Sequence, residues 1–124
     1  KPYLLTHTGF LRHRKESDSI PDFCYPDMTG RTVFDIERAV AWWSTYMPWD
    51  YSVSSDIYDL PEEVSFDKKL LVGHVPTISG FVFEPVPYIY QKREFIDLDC
   101  GCGYRDMDGK LACMRLEDEK IWYI

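Results

Sequence analysis

"LLVGHVPT", residues Leu70–Thr77, decides how the rest of the chain is read. Leu70, Leu71 and Val72 make a short apolar run that passes through Gly73 onto a titratable ring, His74, with Pro76 two residues on. An apolar run closed by turn-forming residues reads as a buried strand that ends on a histidine. A second stretch repeats the arrangement: "YLLTHTG", Tyr3–Gly9, places His7 after an apolar strand and just before a chain-breaking glycine.

In α/β sheets the ligand crevice lies beyond the carboxyl ends of the strands. A histidine placed there points into the crevice. Neutral imidazole is a common ligand for divalent transition metals, and two rings from neighbouring strand ends can share one ion. The competing explanation is that each ring is a hydrogen-bonded core histidine. The third histidine, His13, lies within "RHRK" (Arg12–Lys15) and reads as exposed and inert.

The chain has 124 residues, the size of one domain, so residues 1–124 are expected to form a single unit. Hydrophobic residues make up 45% and aromatics 16%, ample for a core. No repeat, low-complexity run or targeting segment is evident, and no apolar stretch approaches the roughly 20 residues of a membrane span. The 14 basic residues against 21 acidic ones leave a net charge of −7, which disfavours nucleic acid as a partner. The four cysteines, Cys24, Cys100, Cys102 and Cys113, lack the Cys-x2-Cys pairs of a zinc site. They are expected to be reduced and mostly buried, which favours the cytoplasm.

The one clear helical pattern is "TVFDIERAVAWWSTYM", with Thr32 as cap, Asp35 completing a capping box and Pro48 as the stop. Ile36, Val40, Trp43 and Met47 form its expected buried stripe. Residues 11–30 read as irregular, and 49–67 as a loop with at most a short turn. From Lys69 onward β signals dominate, with breaks at Pro85 and Pro87. Asp108-Gly109 predicts a tight turn, and "EDEK" turns between the two strands of a closing hairpin. Asp97 and Asp99 alternate with apolar residues in "FIDLDC" and read as solvated polar positions or as paired carboxylates.

"YLLTHTG" resembles the His-Ala-Gly strand end of the calcineurin-like metallophosphoesterases, and "LLVGHVPT" resembles their Gly-His-Thr-Pro strand end. "FIDLDCGCGYRDMDGKLACMRLEDEKIWYI" is similar to their C-terminal meander. Within that family the chain resembles the bacterial serine/threonine-phosphatase-like branch, with weaker correspondence over residues 11–66. The implied fold is α/β: the β-rich half of a metallophosphoesterase four-layer sandwich, a mixed sheet with one main helix and a C-terminal β-meander.

The resemblance also implies a dinuclear centre of divalent metal ions (Mn, Fe or Zn), in which His7 and His74 bind the second metal. The ions would polarise a phosphoryl oxygen and acidify a bridging water for in-line attack on a phosphorylated protein or a small phosphoester. Gly73 would leave room near the backbone, and Pro76 would stiffen the loop. Tyr104, in "CGCGYR", falls where the family's C-terminal loop covers the site and is a candidate substrate contact; a structural tyrosine is equally plausible.

The family's remaining ligands come from Asp-x-His, Gly-Asp-x-x-Asp-Arg-Gly and Gly-Asn-His-Glu segments. This sequence has no asparagine, no Gly-Asp pair and no Asp-x-His. Thr45 stands where the branch often carries a phosphate-gripping arginine, and it lacks the bidentate charged grip. The chain is therefore expected to be the C-terminal portion of such a hydrolase, inactive without the N-terminal half of the same domain. An exposed sheet surface is expected to favour homo-oligomers. The alternative is a non-catalytic interaction or assembly module derived from the same fold.

Overall fold

The computed structural model describes residues 2–7, 23–46, 63–79 and 85–124, with backbone alone for 42–46. His13, Gly9, Met47 and most of the 49–67 loop lie outside the described residues, as does the side chain of Trp43. The described chain is mixed α/β, strand-rich, with one short helix and mixed sheets.

The principal sheet is built from β1 (Tyr3–Leu5), β5 (Lys69–Val72), β7 (Phe95–Asp97) and β6 (Tyr90–Lys92), in that order. β1 and β7 run parallel to β5 on its two sides, with Leu4 opposite Leu70 and Leu70 opposite Phe95. β6 returns antiparallel to β7 through a two-residue turn at Arg93-Glu94, where Arg93 takes a φ of 55°. Alternation explains the burial. Leu70, Val72 and Phe95 point to one face, Leu71 and Ile96 to the other, and all five are buried. A strand covered on both sides has no polar face to show, which is why "LLV" carries no alternation.

A second sheet holds β2 (Cys24–Pro26), β3 (Thr32–Phe34) and β4 (Val64–Phe66). β2 and β3 are antiparallel, whereas β3 and β4 are parallel across the helix α1 (Ile36–Tyr46). Phe34, Ile36, Ala39, Val64 and Phe66 form one core with Leu70, Val72 and Phe95, so the second sheet and helix cover one face of the first. Apolar surface removed from water is worth about 25 cal/mol per Å², so burial at this junction stabilises both sheets together.

Two expectations for this half are corrected. Thr32 is a strand residue, and the helix begins after Asp35: the Asp35 carboxylate accepts the Arg38 N–H at 3.0 Å, while the Asp67 carboxylate accepts the Ile36 N–H at 3.0 Å. The ends of the two stretches read as irregular, 11–30 and 49–67, supply β2 and the whole of β4. Three-residue strands without alternation leave too little pattern to see.

The C-terminal strands β8 (Ala112–Arg115) and β9 (Lys120–Tyr123) form the expected hairpin with its turn at 116–119. It is not part of a continuous meander, because β6 and β7 belong to the principal sheet and the hairpin stands as a separate two-stranded unit. The 101–110 loop joins them through a parallel bridge between Gly101 and Lys110. Asp108, at a φ of 61°, makes the turn predicted at Asp108-Gly109.

Candidate functional site at the carboxyl rim of the parallel strands

β1 and β5 are adjacent and parallel, so their carboxyl ends share a rim. The ladder continues past β1: Thr6 N–H donates to the Leu71 carbonyl at 3.0 Å, and Gly73 N–H donates to the His7 carbonyl at 3.0 Å. This pairing carries His7 to the level of Gly73-His74. The two rings meet with centroids 4.7 Å apart and planes inclined by 62°. Both residues are exposed, so neither is a core histidine.

His74 is held by an unusual backbone. Its φ is 76°, and Val75 N–H donates to the Gly73 carbonyl at 3.0 Å, closing a three-residue γ-turn around the histidine. A positive φ at a non-glycine residue in such a turn is strained and persists only where the surroundings fix it. Here Val75 is buried on one side, and Thr77, fully buried, anchors the chain two residues further on. The Thr77 N–H donates to the Asp99 carbonyl at 2.8 Å and its hydroxyl to the Val86 carbonyl at 2.7 Å. Gly73 is not needed for room: a Cβ there would meet only the Asp99 Cβ at 3.7 Å, an ordinary contact. The conformational demand falls on the histidine itself.

The third parallel strand brings acid to the same rim. Asp97 lies opposite Val72 and is fully buried, which corrects its reading as a solvated position. Its carboxylate accepts the Asp99 N–H at 2.9 Å, and the Asp99 carboxylate accepts the Gly101 N–H at 3.0 Å. Asp99 is half-buried. Alternation between apolar neighbours suggested a wet face for Asp97, but its register puts it on the same face as Phe95. Burial pushes the neighbouring Cys100 thiol up to about 11, and the two aspartates push it the same way.

Beyond Asp99 the chain turns under the histidine loop. Gly101 has a φ of 72°, and a Cβ there would fall 2.5 Å from Ile78 Cδ1. Gly109 is more constrained, since its Cβ would sit 1.9 Å from the Gly101 carbonyl oxygen. Tyr104 is 53% exposed, and its backbone is fixed: its N–H donates to Gly101, and its carbonyl accepts from Met107 and Gly109. Its ring therefore projects from a loop packed on the rim, without a place in the core. The cysteines are free thiols, but Cys102 and Cys113 are exposed, correcting the expectation that most are buried. The side chain of Thr45 lies outside the described residues.

A metal ion tests this geometry. Imidazole nitrogens bind zinc at about 2.0–2.1 Å, which puts the centroids of two cis ligands roughly 4.5–5.5 Å apart. The observed centroid separation of 4.7 Å falls within that range. Among the described residues no group of three or more His, Cys, Asp or Glu side chains is placed to hold a metal. Among the described residues, then, two imidazoles meet at the rim and no third ligand joins them. No helix among the described residues is long and apolar enough to cross a membrane. No family model, curated protein or solved structure matches the chain.

Proposed function

We propose that the chain is the C-terminal portion of a metal-dependent phosphoesterase, the β-rich half of a metallophosphoesterase sandwich, acting on phosphoproteins or small phosphomonoesters in the cytoplasm. The observation that carries the reading is the meeting of His7 and His74, rings 4.7 Å apart, at the carboxyl rim of two parallel strands. Strand ends of this kind are where open α/β sheets bind ligands.

In this reading His7 and His74 hold one divalent ion. The ion, when bound, supplies Lewis-acid polarisation of a phosphoryl oxygen. The γ-turn presents the His74 ring at the rim, and the Thr77 anchor keeps the turn from relaxing. Tyr104, 53% exposed, is the proposed substrate contact, a role its exposure supports. The anionic ligands needed to balance two metal ions belong to an N-terminal half of the same domain, so this chain alone is an inactive component.

Isothermal titration with Zn²⁺ or Mn²⁺ tests the half-site. One ion is expected to bind the chain, and His7→Ala and His74→Ala are each expected to abolish binding. Hydrolysis of p-nitrophenyl phosphate with Mn²⁺ is expected only when the chain is joined to a half carrying the missing ligands. If the upstream reading frame holds no Asp-x-His or Gly-Asp-x-x-Asp-Arg-Gly segment, the enzyme reading fails. A non-catalytic interaction module is the second reading, favoured by the lack of a third ligand among the described residues.

A further inference from the structure

The turn between β2 and β3 is tied together by one carboxylate. Asp27 Oδ1 accepts the Thr29 hydroxyl at 2.6 Å, the Thr29 N–H at 2.9 Å and the Arg31 N–H at 3.0 Å. Its Oδ2 accepts the Arg31 Nε–H at 3.3 Å. Two backbone bonds close the turn: Asp27 N–H donates to the Arg31 carbonyl, and Gly30 N–H to the Asp27 carbonyl. Gly30, at a φ of 81°, supplies the left-handed residue that the reversal needs. All of these contacts come from Asp27, Thr29, Gly30 and Arg31. The residue between them, Met28, is 105% exposed, so its whole side chain stands in solvent. The other methionines among the described residues are less open: Met107 is 57% exposed, and Met114 is half-buried in β8.

We infer that Met28 is a site of reversible oxidation, the methionine that a hydroperoxide oxidises first and at no cost to the fold. The thioether sulfur attacks one peroxide oxygen. The S–O bond forms as the O–O bond breaks, and the second oxygen leaves as water. The sulfur gives up an electron pair and the peroxide takes it. A methionine sulfoxide reductase supplied with a dithiol runs the change backwards: the sulfoxide oxygen leaves as water and the dithiol becomes a disulfide. Sulfoxide formation harms a protein where it makes a packed methionine polar. Met28 has no packing to lose, and the bonds that shape its turn are made by its neighbours.

The test is a time course in hydrogen peroxide on the wild type and Met28→Leu, with each sulfoxide located by peptide mass mapping. Met28 is expected to oxidise about twofold faster than Met107, the ratio of their exposures, with Met114 slower than both. Met28→Leu is expected to lose that first uptake of oxygen. Melting temperatures are then compared between treated wild type and treated Met28→Leu, so that oxidation of the exposed Cys102 and Cys113 thiols is common to both. The two are expected to melt together. Reductase with dithiothreitol is expected to return Met28 to the thioether in the folded chain. Another methionine that oxidises as fast as Met28, or faster, overturns the assignment. So does treated wild type that melts below the treated variant, since sulfoxide at Met28 would then weaken the fold. A sulfoxide that the reductase removes only after unfolding overturns the reversibility.

Discussion

His74 combines an exposed ring with a φ of 76°, a conformation that costs a non-glycine residue of order 1–3 kcal/mol. The buried residues on either side, Val72, Val75 and Thr77, hold that backbone in place. The same dependence on close backbone contact is sharper at Gly109, whose missing Cβ would collide with the Gly101 and Tyr104 carbonyls. Gly109→Ala is expected to destabilise the chain by about 3 kcal/mol, a fall of roughly 10 °C in melting temperature. Calorimetry measures it directly. Asp27 shows a residue-scale electrostatic effect. Hydrogen bonds from the Thr29 hydroxyl, then from the Arg31 and Thr29 N–H groups, hold its carboxyl down at about 2 against an ordinary value of 3.8. A depressed carboxylate stabilises the fold above its unfolded pKa, and that contribution is lost as pH falls from near 4 through 2. Melting temperature measured across pH 5 to 2 is therefore expected to fall less steeply in Asp27→Asn than in the wild type.

At the scale of elements, two acids from different segments cap α1, with Asp35 on the Arg38 N–H and Asp67 on the Ile36 N–H. Both negative charges also face the positive end of the helix dipole. Asp35→Ala is expected to cost about 1 kcal/mol, read from denaturant unfolding. Asp35 was legible as part of a capping pattern, although it caps the helix itself instead of completing a box. Asp67 was not legible, because it arrives from the bend between β4 and β5, 31 residues away. The C-terminal hairpin is attached in a similar way. Glu119, at its tip, pairs with Lys69 of β5 and accepts the Tyr3 hydroxyl of β1 at 2.7 Å. The Lys69 ammonium, then the Tyr3 hydroxyl, pull the Glu119 carboxyl below its usual range. The hairpin turn was readable from "EDEK", but its docking was not. Glu119→Gln is expected to lower stability by about 1 kcal/mol and to speed amide exchange in β8 and β9 relative to β5.

On the scale of the molecule, the principal sheet buries side chains on both faces, and among the described residues β1 is an edge strand. Among the described residues β1 pairs only with β5, and Leu5 at its end is 65% exposed. An edge strand that carries an exposed apolar side chain invites pairing with another chain. Light scattering is expected to show an apparent mass that rises with concentration in the wild type and stays near 14.7 kDa in Leu5→Lys. A clean monomer for the wild type at high concentration would count against an edge that needs a partner.

From the order of residues alone came the strand Leu70–Val72, the approximate helix, the closing hairpin and the two histidines at matching strand ends. These follow from local rules: apolar runs bury, glycine and proline interrupt, and alternate residues share a face. What only the tertiary structure decided was parallel pairing of β1 with β5, the burial of Asp97 and the place of Asp99 beside the histidine turn. Those depend on which strand lies next to which and in what register. Register is set by a whole buried face at once, and segments 60 residues or so apart in the chain carry no mark of it individually.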